Sequence, residues 1–287
     1  KKWPTSYDMD SLTAGSSKDL QLHSSTIQAI SKEYCTRRSQ FKKPFLNWRS
    51  SKRSLDWIPF KASGIRFNQE TGSAIYSGLE FKVWYSRPVQ GQIKCGNISQ
   101  DARGRYYLNL VCEIPDLHLA VRPADVGIDL GLKDLATLST GQTYGAQRYF
   151  RQMERKLARS QQARKKKQTR NIHAKIKNSR KDFNHKVSTE IASNFSRIFI
   201  GDVKAGDIIK KPNMAKSVHD AGWYQFTTFL SYKALARGGR VFHVNERYST
   251  QRCSACGVVD RNSPKGTGGL KIREWRCSRC LTLHHRD

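Results

Sequence analysis

Acidic residues are scarce in this 287-residue chain: Asp and Glu number 23 against 52 Lys and Arg, for a formal net charge of +29. A deficit of that size argues against a cationic partner and for a polyanion, nucleic acid first and an acidic membrane surface second. There is no run of about 18 apolar residues, which excludes a transmembrane helix. The first residues lack the charged-then-apolar pattern of a secretory signal. The chain also begins without Met, as a segment from inside a longer protein would. A disulfide framework is missing as well. Cys35, Cys95 and Cys112 are scattered and read as reduced intracellular thiols. What is present is a length that suggests about two domains and 10% aromatic residues interleaved with the basic ones, which suits stacking on unpaired bases.

The four remaining cysteines come as two pairs. Cys253-Ser-Ala-Cys256 is followed by twenty residues and then Cys277-Ser-Arg-Cys280. Each CxxC turn offers two thiolates to one tetrahedral ion, and two such turns at this separation predict a structural zinc ribbon. A closed four-thiolate site leaves no open position for catalysis, so this metal holds structure. The alternative is four unrelated surface cysteines.

Residues 1–50 read as helical, with Leu22, Ile27, Ile30, Tyr34, Phe41 and Phe45 among Arg37, Arg38, Lys42 and Lys43. A helix start is expected at Ser24 or Ser25, which can cap it. The basic face suits nucleic acid, or is an ordinary solvated face. Between about 53 and 115 short β-type runs follow, at 65–67, 74–76, 81–85 and 106–111, with turns at 68–72 and 102–105. These predict a small barrel or sandwich. From 126 the pattern is a three-strand meander, then a basic helical region over 153–195 with a stripe of Ile172, Ile176, Phe183, Val187 and Ile191. Arg164, Lys165, Lys166 and Lys167 form the densest charge run, read as phosphate contacts or as a solvated face. A strand at 197–203, a helix over 214–237 closed by Gly238-Gly239 and a strand at 241–246 complete the order. That order fits a sheet with an antiparallel start and parallel additions.

Asp129 lies inside an apolar strand, Val126-Gly127-Ile128-Asp129-Leu130-Gly131. A carboxylate there is costly unless paired or holding a cation. Asp287 is a second candidate, after the cysteines. Two or three such carboxylates from different elements can hold two divalent ions for phosphodiester cleavage, and Mg²⁺ suits a hard-oxygen site. A salt-bridged structural role for Asp129 is the plainer reading.

The segment Val126–Lys133 resembles the first RuvC motif of the TnpB family, transposon-encoded RNA-guided nucleases related to type V CRISPR effectors. Ser249–Gly257 resembles that family's entry into the zinc knuckles. Trp275–Cys280 with His284-His285-Arg286-Asp287 resembles the second knuckle and third RuvC motif. The resemblance implies a multidomain α+β and α/β chain. Its parts are a helical recognition segment at 1–50, a β-barrel wedge domain at 51–122, an RNase H-like RuvC domain at 123–248, a zinc ribbon at 249–283 and the start of the last RuvC motif at 284–287. It further implies structural Zn²⁺, catalytic Mg²⁺, a guide RNA, a target DNA that is cut, and a place in the prokaryotic cytoplasm.

One position departs from the family. Its second acid is usually a Glu ending the fourth strand, and here the stretch is Ile200-Gly201-Asp202-Val203. Glu246, at the end of the fifth strand, is the expected replacement. Asp202 should face away from the Gly201 direction, and a nuclease that no longer cuts is the remaining possibility. The expected catalytic set is Asp129, Glu246 and Asp287. Arg252, Lys271, Arg273 and Arg276 are expected to touch nucleic acid, and Trp275 either does so or packs in the ribbon. A guided repressor that binds without cutting and a DDE-type transposase are the alternative functions.

Overall fold

A computed structural model describes residues 3–47, 55–84, 88–115, 124–203, 206, 210, 214–245, 247–266, 268–272 and 274–285. The chain divides into two units, Lys1–Asp116 and Leu117–Asp287.

In the first unit, helices α1 (Ser6–Leu12), α2 (Ser16–Leu20) and α3 (Ser24–Phe41) precede the strands. Thr5 and Asp8 form a reciprocal capping box on α1. The α3 cap is not a serine: His23 Nδ1 accepts from the Ser25 backbone N–H at 3.1 Å. The most buried positions of α3 are hydroxyl residues, while its apolar Ile27 and Tyr34 are half-buried. The helix buries Ser25, Thr26 and Ser31 while Ile30 and Phe41 stay exposed, and Thr26 Oγ1 meets Tyr76 Oη at 2.6 Å in the interior.

Strands β1 (Trp57–Lys61), β5 (Gln92–Gln100) and β6 (Tyr106–Glu113) form one antiparallel sheet, in the order β1-β5-β6. Strands β2 (Ile65–Asn68), β3 (Ser73–Tyr76) and β4 (Leu79–Lys82) form another. Among the described residues these are two antiparallel sheets sharing one core, as the sandwich alternative of the expected barrel or sandwich has it. That core is built on Phe60, Ile65, Ala74 and Tyr76. The run expected over 81–85 is shifted: β4 ends at Lys82, Val83 and Trp84 lie beyond it, and Tyr85 lies outside the described residues.

In the second unit, β7 (Asp125–Asp129), β8 (Asp134–Leu138) and β9 (Thr143–Gly145) are the antiparallel meander. Next come α4 (Tyr149–Gln162), α5 (Lys166–Asn194), β10 (Arg197–Gly201), α6 (Ala215–Ala221), α7 (Trp223–Leu235) and β11 (Arg240–Val244). The sheet order is β11-β10-β7-β8-β9, with β10 parallel to both β7 and β11. Val126, Ile128, Ile198 and Ile200 face Val187, Ile191, Phe226 and Leu230 of α5 and α7 in one core.

Two expected helices are each split. Arg164, with φ 51°, breaks the basic region between α4 and α5. The apolar stripe is thereby shared: Ile172 and Ile176 pack with Leu157 of α4, and Val187 and Ile191 pack on the sheet. Gly222, with φ 65°, separates α6 from α7, a conformation that costs glycine nothing. The Lys233 ammonium ties α7 to α5, donating to His185 O (2.6 Å), Ser188 Oγ (2.8 Å) and Thr189 Oγ1 (2.7 Å). Among the described residues no helix is long and apolar enough to cross a membrane.

Phe226 is fully buried at the centre of this packing. Phe226→Ala should destabilise the second unit by about 3–5 kcal/mol, read as a lower urea midpoint with an unchanged slope.

Candidate metal centre and acidic sheet edge

The carboxyl ends of the three parallel strands share one edge of the sheet, where open α/β sheets commonly bind ligands. Asp129 ends β7 there and is exposed. Ile128 pairs with Ile200 of β10, so Asp129 is level with Gly201, which pairs in turn with Val244 of β11. Alternation decides the faces. Val126, Ile128, Ile198 and Ile200 point to the helices, so Asp129 and Gly201 belong to the opposite face. Phe199 and Phe242 stack on that face with centroids 5.2 Å apart. Asp202, one step past Gly201, is exposed, and its N–H donates to Val244 O at 2.9 Å.

The turn after Asp129 is held from two directions. Trp223 Nε1 donates to Gly131 O at 3.2 Å. A Cβ on Gly131 would sit 2.8 Å from Asp134 O, too close for any side chain. Of the three expected acids, Asp129 is described, while Glu246 and Asp287 lie outside the described residues.

All four expected zinc ligands converge. The Sγ atoms of Cys253, Cys256, Cys277 and Cys280 lie within 4.8 Å of one another. Cys253 and Cys280 are 3.4 Å apart, and Cys256 and Cys277 are 3.7 Å apart. Zinc–sulfur bonds of about 2.3 Å in a tetrahedron set sulfurs about 3.8 Å apart, so the cluster fits that ion. The two knuckles repeat one backbone pattern. Gly257 N–H donates to Cys253 O at 2.8 Å and Leu281 N–H to Cys277 O at 3.0 Å, with φ of 72° and 58°. The Thr282 hydroxyl, 3.2 Å from Cys280 Sγ, leads the hydrogen bonds that hold this thiol down to about 6, which eases the deprotonation a metal requires.

Two partners in the ribbon, His284 and Asp260, were not anticipated as such, and Trp275 takes one of its expected roles. His284 Nε2 is 3.0 Å from Cys253 Sγ and its ring lies 4.7 Å from that of Trp275, an outer-shell arrangement that orients a ligand. Trp275 is buried beside Cys253 and Cys277, so of its two expected roles the structure shows packing. Asp260, also buried, braces one knuckle against the other. Its carboxylate accepts from Asn262 N (2.7 Å), Ser278 N (2.5 Å) and Ser278 Oγ (2.8 Å). The Asn262 and Ser278 backbone bonds hold its pKa down to about 2 from 3.8. The brace is therefore complete above about pH 4 and is lost as pH falls toward about 2. Asp260→Ala should release zinc to a chromogenic chelator roughly tenfold faster at pH 7, in the range for outer-shell changes. No sequence signal beyond its place four residues after Cys256 marks Asp260.

The expected nucleic-acid contacts have mixed fates. Arg164, Lys165, Lys166 and Lys167 are exposed at the α4–α5 turn, and Lys42, Lys43, Arg252, Lys271 and Arg276 are exposed. Arg37 pairs with Glu33 at 2.7 Å. Arg38 is drawn inward, its guanidinium 4.9 Å from the Trp3 ring. Arg273 lies outside the described residues.

Two family models match adjoining parts of the chain. One, described as "Probable transposase", covers residues 110–211; the other, described as "Cas12f1-like, TNB domain", covers 223–287. A Streptomyces pristinaespiralis protein named "Putative RNA-guided DNA endonuclease" is 28% identical, over 100% of this chain and 72% of that protein. "Putative RNA-guided DNA endonuclease InsQ" of Escherichia coli (strain K12) is 28% identical, over 89% of this chain and 69% of its own length. "TnpB-like protein L79" of Acanthamoeba polyphaga mimivirus is 26% identical, over 72% and 44% respectively. The knuckle pattern and these matches agree, and they make the chain similar to TnpB-like and RNA-guided-endonuclease proteins from the meander through the four-cysteine site.

Proposed function

We propose that this chain is an RNA-guided endonuclease that cuts target DNA. The observation that carries the reading is Asp129, an exposed carboxylate at the carboxyl edge of three parallel strands, in a sheet whose last strand leads directly into a four-cysteine metal site. The relatives' names support it. In this reading residues 123–248 are an RNase H-like RuvC domain interrupted by the ribbon at 249–283 and resumed at 284–287. Residues 51–122 are the wedge domain and 1–50 the recognition segment.

Asp129, Glu246 and Asp287 are the proposed holders of two Mg²⁺. Such a pair, when bound, lowers the pKa of an attacking water and stabilises the leaving oxygen. Gly201 brings no side chain to the row beside Asp129. Glu246 follows Val244, the β11 partner of Gly201, by two residues in the sequence. The exposed cations at 164–167, with Lys42, Lys43, Arg252, Lys271, Arg273 and Arg276, contact phosphates. Those contacts supply affinity and position, while base pairing to the guide supplies sequence.

The test begins with the chain purified together with its bound nucleic acid. Sequencing should recover a discrete structured RNA with a variable end. With that RNA and Mg²⁺, wild type should cut matching DNA, and Glu246→Ala should cut more than about 100-fold more slowly. Equal cutting by Glu246→Ala would remove Glu246 from the site. Gly201, standing where the family usually has Glu, favours one second reading: a guided DNA binder that represses by occupancy. RNA-dependent DNA binding without cutting in any divalent metal would select it.

A further inference from the structure

A cavity of about 550 Å³ opens between the β7–β8 turn, the start of α4, and the α5 and α6 helices. Its apolar wall is Leu132, Leu135 and Phe183, and the half-buried Tyr149 also lines it. Its size is in the range of small-ligand sites and far too small for a duplex. Four cations line it: Lys133, Arg148, Arg151 and Arg180. Arg151 is shared with Glu154 (3.1 Å) and Arg180 donates to His219 O (2.8 Å). Among the described residues, the side chains of Arg148 and Lys133 have no ion-pair partner. One carboxylate opposes them, Asp220, and both its oxygens are engaged by Phe150 N–H at 2.9 and 3.0 Å.

The second observation is independent of charge. Asn184 lines the same cavity, is 1% exposed, and its Oδ1 has no hydrogen-bond partner. Its Nδ2 donates to Gln225 Oε1 at 3.3 Å. Exchanging donor and acceptor along that bond only swaps which end of the amide is unmet. A buried amide edge left unpaired is costly, and a bound group that pairs with it removes the cost.

We propose that this cavity receives one unpaired nucleotide, its base against Phe183 and Tyr149, a base edge or sugar hydroxyl on the Asn184 amide, and its phosphate on Arg148 and Lys133. The inference rests on the nucleic-acid reading above, though not on cleavage. Because the wall includes Leu132 and Lys133, on the turn that follows Asp129, a nucleotide held here would fix the register of a strand entering the acidic edge. The shared chemistry is that of a nucleotide phosphodiester, which either the DNA strand or the RNA could supply.

Photocrosslinking with the purified chain separates these sources. Single-stranded DNA carries one 4-thiothymidine, or RNA one 4-thiouridine, and crosslinked peptides are mapped by mass spectrometry. Adducts on peptides bearing Tyr149 or Phe183 are expected; the arm that gives them names the strand. Two variants guard against misfolding. Arg148 has φ 53°, so Arg148→Gly removes the cation while relaxing the backbone. Asn184→Leu keeps the branched side-chain shape, takes up adjoining cavity space with its larger methyl groups and removes the unmet amide, and should leave the melting temperature equal or higher. Each should cut the Tyr149 and Phe183 adducts by roughly tenfold. Adducts only elsewhere in both arms, or adducts unchanged in both variants, would overturn the pocket while leaving the cleavage test above unaffected.

Discussion

Asp129→Asn is expected to leave RNA retention intact and to slow single-turnover DNA cleavage by about a thousandfold, about 4 kcal/mol of transition-state stabilisation. The substitution keeps shape and hydrogen-bonding capacity and removes one negative charge. At an exposed strand end that change does little to the fold, because the residues beneath it, Ile128 and Val126, remain packed on the helices. A metal site is less forgiving, since ligand charge is what draws a divalent ion from its hydration shell. The effect therefore falls on chemistry. The pair of measurements separates two roles: a structural aspartate would lower the melting temperature together with cleavage, whereas a metal ligand lowers cleavage alone. A loss smaller than tenfold, with the fold unchanged, would place the chemistry elsewhere.

Much of the second unit is legible in order because its strands are short apolar runs closed by glycine or a turn. Ile198 and Ile200 are buried while Arg197 and Phe199 face out, so alternation alone gives the face, and the face gives the row that Asp129 shares with Gly201. Strands β1 and β5 are not legible. Pro59 suits an edge strand and nothing more central, and β1 is at the edge of its sheet. Strand β5 reads Gln-Ile-Lys-Cys-Gly-Asn-Ile-Ser-Gln, with a register shift between Ile93 and Cys95. It is a strand because two partners supply its hydrogen bonds, which is a property of tertiary context. The breaks at Arg164 and Gly222 lie where the sequence reads as helix-compatible on both sides, and a positive φ at each residue marks the turn. The ribbon shows the same limit. Cysteine spacing gives the ligands, but Asp260 and His284 act across the fold, from positions that no local pattern singles out.

Removing zinc should unfold the ribbon and abolish cleavage together while the sheet stays folded. The ribbon's own core is small: Cys253, Trp275 and Cys277, with Cys256 packed against them. Three of those four residues are ligands, so without the metal almost no apolar burial remains to offset chain entropy. Structural zinc sites of this kind contribute apparent binding energies of about 10–16 kcal/mol, and that energy is folding energy. The sheet has a separate core in which, among the described residues, no ribbon residue takes part. Cys277→Ser, or exhaustive chelation, should therefore remove the one zinc expected per chain. Amide exchange across residues 250–285 should become fast, while β7 and β10 remain protected. Cleavage is lost for a reason of placement. Glu246 precedes Cys253 by seven residues and Asp287 follows Cys280 by seven, so the ribbon is the clip that closes the chain between two of the three proposed acids. In the proposed reading, opening it would turn a short tether into a loop of about forty residues, so the two proposed acids would lose a fixed spacing. Zinc loss with cleavage retained would mean that those acids are positioned without the clip.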